Sequence, residues 1–284
     1  MYQIGVLGAG TWGMALAQHL AISKRKVTVW SAISREIDEL QETRKHKNLP
    51  GMEISPEITF TKDIEEAIKG MDIVLFAVPS VFVRSTTQKA ASYIEDGQVL
   101  VDVAKGIEPG TNYTMTQIMR DELKNNGVNK NVDLVALSGP THAEEVALKM
   151  QTKIVCACEK EAVAKYVQEV FNEGSLRVYT NPDVLGVELC CAVKNVIALA
   201  AGISRGLGYG DNAKAAIITR GMAEISRLGN AMGCDEKTFN GLAGIGDLIV
   251  TATSEHSRNN RCGLYIGQGI PVKEAIEKVG MVVE

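Results

Sequence analysis

A single lysine stands where a lysine is costly. The stretch Leu189 to Ser204 reads LCCAVKNVIALAAGIS and carries one charge, Lys194. Wound as a helix, it puts Val187, Cys190, Cys191, Lys194, Ala198 and Ala201 on one stripe. An ammonium in the middle of an apolar face loses hydration, which lowers its pKa. A lysine so placed suits a proton that must be given and taken near neutral pH. Two plainer roles compete: a side chain that snorkels to the surface, and one half of a structural ion pair.

Other residues with chemistry to offer lie along the whole chain. Gly8-Ala9-Gly10-Thr11-Trp12-Gly13 follows the apolar run YQIGVL and precedes a helical run from Met14 to Leu20. In this strand–turn–helix setting Gly8 allows the tight turn, Gly10 lets a diphosphate approach the backbone, and Gly13 lets helix and strand pack closely. The helix start then offers free N–H groups to the diphosphate. After the second strand, Val27 to Trp30, no acid appears until Glu36; Ser31, Ser34 and Arg35 come first. Hydroxyls and an arginine there suit the 2′-phosphate of NADP, with NAD as the second candidate. The plainer reading is a solvated helix over 34–44 with Ser34 as its N-cap. Lys105 follows a third kind of signal, an apolar strand ending in Ala104-Lys105-Gly106, and points to a cleft or to plain surface. Asp247, in LAGIGDL, stands at a helix start, either as a cap or as the acid that orients a lysine. Ser257-Arg258-Asn259 opens another helix, where an arginine and amides suit a phosphate. His142 has no nucleophile or orienting acid nearby and reads as a cap-adjacent surface residue.

The elements that must position these residues are legible in outline. Strands at 72–78, 98–103 and 132–137 alternate with helices at about 62–69, 81–93 and 113–124, which gives a parallel sheet. Their continuous apolar runs fit strands covered on both faces. A helix over 141–149 with Thr141 as N-cap and Glu144 as the capping-box acid follows. Segments 151–158, 161–171 and 175–179 complete the first half. Beyond Asn181-Pro182 the pattern is helical, at about 183–203, 211–232, 235–240, 256–267 and 271–279, with a strand conceivable only within 247–252. The fold class is therefore α/β: an N-terminal Rossmann-type, mostly parallel sheet over 1–181 and an all-α domain over 182–284.

At 284 residues, with 45% hydrophobic and 23% charged, the chain has the composition of a globular protein of two ordinary domains. A net charge of -4 and a pI near 5.7 argue against nucleic acid as a partner. The 189–204 stretch is too short for a membrane span, and no signal segment is seen, so a cytoplasmic protein is expected. Cys156, Cys158, Cys190, Cys191, Cys234 and Cys262 show no C-x-x-C or zinc spacing; reduced, mostly buried thiols and no metal are expected.

Together the motifs resemble the bacterial-type NAD(P)-dependent sn-glycerol-3-phosphate dehydrogenase family over essentially the whole chain. The resemblance rests on the glycine turn at 8–13, Ala104-Lys105-Gly106-Ile107-Glu108 and Ser138-Gly139-Pro140-Thr141-His142-Ala143-Glu144-Glu145. It rests also on Ala192-Val193-Lys194-Asn195-Val196, Gly244-Ile245-Gly246-Asp247-Leu248, Ser257-Arg258-Asn259 and Val282-Val283-Glu284. It implies that Lys194 exchanges the proton at the substrate oxygen, with Asp247 beside it. Lys105 is implied to serve substrate and nicotinamide. Gly139 and Thr141 are implied as substrate contacts, as are Ser257, Arg258 and Asn259 around the phosphate. Thr11, Trp12, Ala143, Val282 and Glu284 are implied as cofactor contacts, and Arg258 touches cofactor too. The substrate would be a phosphorylated triose and the assembly a homodimer. Two departures stand out. Family members often carry Arg or His where this chain has Ala32, so Arg35 would have to substitute. They also usually continue past V-V-E with more helix, so the chain is expected to lack a C-terminal part, leaving apolar surface exposed or buried in a partner. Two other functions fit part of the pattern: a hydroxy-acid dehydrogenase in which Arg258-Asn259 holds a carboxylate, and a non-catalytic dinucleotide-binding redox sensor.

Overall fold

The computed structural model describes residues 2–128 and 130–283. The first half alternates as expected: β1 (Gln3–Leu7), α1 (Thr11–Ile22), β2 (Lys26–Trp30), α2 (Ser34–Thr43), β3 (Ile58–Thr61), β4 (Ile73–Phe76), α3 (Val83–Ala90), β5 (Val99–Asp102), α4 (Met115–Asn125), β6 (Asp133–Ser138), α5 (Ala143–Ala147), β7 (Thr152–Ala157), α6 (Glu161–Phe171) and β8 (Leu176–Asn181). One sheet holds all eight strands in the order β3-β2-β1-β4-β5-β6-β7-β8. The pairs from β3 through β6 and the β7–β8 pair are parallel. The order reverses between β1 and β4, and that switch point is where such sheets take their ligands.

The apolar strands are continuous because both faces are covered. Ile4, Val6, Ile73, Leu75, Val99 and Val101 join one core with α1 and α6. Their neighbours Leu7, Val74, Phe76 and Leu100 join a second core with α3 and α4. Alternate residues of one strand serve opposite faces, so the runs are apolar at successive positions.

The rest is helical: α7 (Val184–Gly206), α8 (Asp211–Ala231), α9 (Glu236–Phe239), a π-helical turn (Leu242–Gly246), α10 (Asp247–Thr253), α11 (Arg258–Gly267) and α12 (Val272–Val279). The chain divides into two compact units. One runs through Leu137 and resumes over Ala143–Pro182; the other takes Ser138–His142 and the chain from Asp183 onward. The five residues after Leu137, which the sequence assigns to the sheet half, thus belong to the helical unit.

Several boundaries differ from the sequence reading. Residues 64–70 form turns instead of a helix, closing with Gly70 at φ 70°. The expected 81–93 helix splits into a 3-10 turn, Ser80–Phe82, and α3. Ser34 is the first residue of α2 and Ile33 its cap. Thr141 does not cap α5: its hydroxyl turns back to the Gly139 carbonyl (3.1 Å), and the helix starts two residues later. The 247–252 stretch is helix, not strand.

The reading of 189–204 as too short for a span is also corrected. α7 runs 23 residues, with an 18-residue window of mean hydropathy 1.9, long and apolar enough by those measures to cross a bilayer. Yet 56% of that window is buried, and α7 packs on α8, α10 and α11 of its own unit. That is how the central helix of a folded core also reads.

Candidate active site

In the sheet unit the glycine turn is closed behind and open in front. Gly8 sits at φ 125°, and a Cβ there would lie 2.5 Å from the Ala77 carbonyl oxygen. A Cβ on Gly13 would lie 2.2 Å from the Gly8 oxygen, so α1 and β1 need both glycines to pack. At Gly10 a Cβ would meet nothing within 4 Å. α1 begins at Thr11 with Gly10 as N-cap and no side-chain cap. Its first-turn amides therefore face an open approach, which fits a dinucleotide diphosphate. The Gly8 N–H donates to the Trp30 carbonyl (2.8 Å), joining the turn to the end of β2. Two residues not singled out in the sequence border the turn. Asn48 donates to the Thr11 hydroxyl (3.4 Å). The half-buried His46 ring is hydrogen-bonded to the Ala9 backbone, and burial lowers its pKa. Ser31 and Arg35 both face carboxylates: Ser31 donates to Glu36 (2.7 Å), and Arg35 pairs with Glu39 (2.8 Å). Ala143 opens α5, which packs on α1.

Lys105 lies in the loop after β5. Its neighbour Gly106 is pressed on the 3-10 turn, where a Cβ would sit 2.6 Å from the Ser80 Cβ. Three residues on, Glu108 takes a two-pronged ion pair from Arg84 (2.7 and 2.8 Å), which lowers its pKa to about 2. Arg84 also holds Asp121 (2.7 Å) and Glu122 (2.9 Å), so α3 and α4 together anchor the Lys105 loop.

In the helical unit the expected stripe of α7 is buried from Val187 to Ala201, with Lys194 only 4% exposed. The plain snorkelling role is excluded. The Nζ donates to Asp247 Oδ1 (2.5 Å) and to Thr251 Oγ1 (2.7 Å). Thr251 in turn donates to the Asp247 carbonyl (2.6 Å). Asp247 opens α10 directly after the π-helical turn, in which a Cβ on Gly244 would lie 2.2 Å from the Phe239 oxygen. Thr251 was missed in the sequence, although it sits four residues after Asp247 and so on the same helix face. One turn before the lysine, Cys191 bonds the Ser138 hydroxyl (2.6 Å) and the Val187 carbonyl (2.8 Å). That contact ties the Ser138–His142 stretch, with Gly139 and Thr141, to the lysine helix.

Ser257 caps α11, its hydroxyl accepting from the Asn260 N–H (3.2 Å); Asn259 is buried and Arg258 half-buried in the first turn. Asn260 donates to the carbonyls of Ala252 (2.9 Å) and Ala198 (3.3 Å), one residue past Thr251 and one turn past Lys194. Val282 is half-exposed beyond α12, and Glu284 lies outside the described residues.

A buried lysine locked to a carboxylate, in a chain that also carries an open glycine turn, is the combination that comparison with known proteins accounts for. The family described as "NAD-dependent glycerol-3-phosphate dehydrogenase N-terminus" matches residues 3–164, and its "C-terminus" counterpart matches residues 183–284. The chain belongs to the NAD-dependent glycerol-3-phosphate dehydrogenases. A glycerol-3-phosphate dehydrogenase [NAD(P)+] of Lactobacillus delbrueckii subsp. bulgaricus is 64% identical over all of this chain and 84% of its own length. That of Agathobacter rectalis is 49% identical over all of this chain and 83% of its own. The crystal structure of the Coxiella burnetii glycerol-3-phosphate dehydrogenase superposes with a TM-score of 0.93 at 36% identity, covering 99% of this chain and 85% of that one. In this dehydrogenase the two family halves thus cover both the glycine turn and the Lys194–Asp247 pair.

Proposed function

We propose that Lys194 is the proton-exchanging residue of a reaction interconverting dihydroxyacetone phosphate and sn-glycerol 3-phosphate with NAD(P)H, which supplies glycerol 3-phosphate for phospholipid synthesis. The observation that carries this reading is the buried Lys194 ammonium held by Asp247 and Thr251 in a chain of this family. When bound, a nicotinamide dinucleotide would supply the hydride in one direction and take it up in the other. Lys194 gives its proton to the oxygen of the ketone being reduced, and removes it from the alcohol in reverse. Before the proton moves, the same charge stabilises the developing alkoxide. Asp247 and Thr251 hold the Nζ in one place, so no reorganisation is needed at the moment of reaction. Lys105 fixes the carbonyl and its neighbouring hydroxyl. Gly139 and Thr141 line the substrate, and Arg258, Asn259 and the start of α11 take the phosphate. Phosphate binding remote from the reacting carbon orients it and lowers the barrier. Gly8, Gly10, Thr11, Trp12 and Gly13 hold the diphosphate, with Ala143, Val282 and Glu284 as further cofactor contacts. The enzyme works as a cytoplasmic homodimer; the six cysteines, none in a disulfide, support a reducing compartment.

Initial rates of NADPH and NADH oxidation with dihydroxyacetone phosphate test the reaction. Lys194→Ala is expected to lower kcat by roughly 10²- to 10⁴-fold while dinucleotide binding persists. An unchanged rate in that variant removes Lys194 from the chemistry, and preferred turnover of a hydroxy acid replaces the substrate.

A further inference from the structure

The end of β2 carries a carboxylate that the chemistry at Lys194 does not use. Trp30, the last residue of β2, accepts the Gly8 N–H, so the glycine turn and this strand end are one structure. The next residue, Ser31, is buried, and its hydroxyl donates to Glu36 Oε2 (2.7 Å) and accepts from the Ile33 N–H (3.1 Å). Glu36, half-buried in the first turn of α2, is thereby turned back toward the strand end. Its charge also acts on His46, whose ring is bonded to Ala9 inside the glycine turn. Carboxylate, serine, histidine and glycine turn thus share one corner.

Three nearby cations are engaged elsewhere. The Arg35 side chain is 88% exposed and pairs with Glu39 on the outer face of α2. Arg44 donates to the Ser55 and Ile58 carbonyls, and Lys62 pairs with Asp38. In a dinucleotide site the end of the second strand is where the adenosine ribose is read. A ribose 2′-hydroxyl can donate to a carboxylate there. A 2′-phosphate brings close to two negative charges to the same carboxylate, and with Arg35, Arg44 and Lys62 held elsewhere it is Lys47, whose charge acts on His46, that stands against Glu36.

We propose that Glu36 reads the adenosine ribose and makes this chain favour NAD(H) over NADP(H), while both remain substrates. The proposal rests on the dinucleotide site of the proposed function. It is tested by titrating NADH and NADPH into the full chain, followed by tryptophan fluorescence, since Trp12 stands in the glycine turn and Trp30 at the end of β2. NADH is expected to bind roughly tenfold tighter or more, the scale of one like-charge contact near a protein surface. Glu36→Gln should bring the ratio toward one by tightening NADPH, and Arg35→Ala should leave it where it was. NADPH binding as tightly as NADH to the wild type, or Arg35→Ala weakening NADPH alone, overturns the proposal and leaves the dehydrogenase reading standing. Binding of neither dinucleotide overturns the glycine-turn reading, and this proposal with it. The wild-type ratio needs no variant, so a poorly folding Glu36→Gln does not shelter the idea.

Discussion

Asp247 is the residue on which the lysine depends. Its carboxylate is 1% exposed and lies 2.5 Å from an ammonium that is itself buried. Removing one partner of such a pair leaves the other charge uncompensated, at a cost of roughly 3 kcal/mol or more. Asp247→Asn is therefore expected to lower the urea midpoint. With the carboxylate gone, desolvation dominates at Lys194 and the ammonium gives up its proton at lower pH than before. The high-pH limb of the kcat profile should move down in pH. Loss of stability with an unmoved limb makes Asp247 a structural partner only. Both members of this pair stand out in the sequence, Lys194 as a charge in an apolar stripe and Asp247 after a Gly-rich turn. Their pairing does not, because it depends on how α10 crosses α7. Thr251 was readable from its spacing to Asp247. The directions taken by Ser31 and Arg35 were not: a serine and an arginine after β2 suit a 2′-phosphate by type, and only the packed side chains reveal that each faces a carboxylate.

At the scale of elements, the helical unit is built on a close crossing of α7 and α11. A Cβ on Gly202 would lie 2.1 Å from the Asn260 oxygen, and one on Gly206 2.3 Å from the Leu264 oxygen. The facing glycines are as tight: Gly263 against the Leu199 oxygen at 2.1 Å, and Gly267 against the Ile203 oxygen at 2.3 Å. Four glycines at four-residue spacing on two helices let the backbones touch. They bring the start of α11, with Ser257, Arg258 and Asn259, to the helix that carries Lys194. In an open helix, alanine for glycine stabilises by about 0.5–1 kcal/mol. At Gly202 the sign should reverse, because the added methyl strikes backbone and the overpacking costs roughly 1–3 kcal/mol or more. Thermal unfolding should show Gly202→Ala well below the wild type. Gly210→Ala, whose Cβ meets nothing within 4 Å, should lose less, on the scale of the α8 N-cap it occupies. Equal Tm values for the two variants would sink the account of the crossing. The glycine spacing is plain in the sequence once the two helices are known to meet. Nothing local says that they do.

For the whole molecule, the sheet half was the most legible part because its signals are local: apolar runs covered on both faces, each closed by a Gly or Pro turn. The five residues after Leu137 went to the wrong half because their partners, such as Cys191, are distant in sequence. The helical unit carries the remaining question, its outer surface. Val196, Leu207, Tyr209, Leu228, Met232 and Ile249 are each at least 43% exposed on α7, α8, α10, the α7–α8 link and the residue that ends α8. Exposed apolar side chains are an ordinary part of a folded surface, and it is the proposed homodimer that gives these a cover to be tested. In the proposed homodimer a second copy would cover part of this surface, and a two-fold interface would bury each residue in it twice. Sedimentation of the soluble fraction of a cell lysate, with dihydroxyacetone phosphate reduction as the assay, tests assembly and compartment together. The activity should move as a particle of twice 30.6 kDa. Because a charge placed in a two-fold interface is also met twice, Leu228→Glu should shift the activity toward the single-chain mass. Wild-type activity at the single-chain mass rules out the dimer, and activity that pellets with membranes rules out the cytoplasmic assignment.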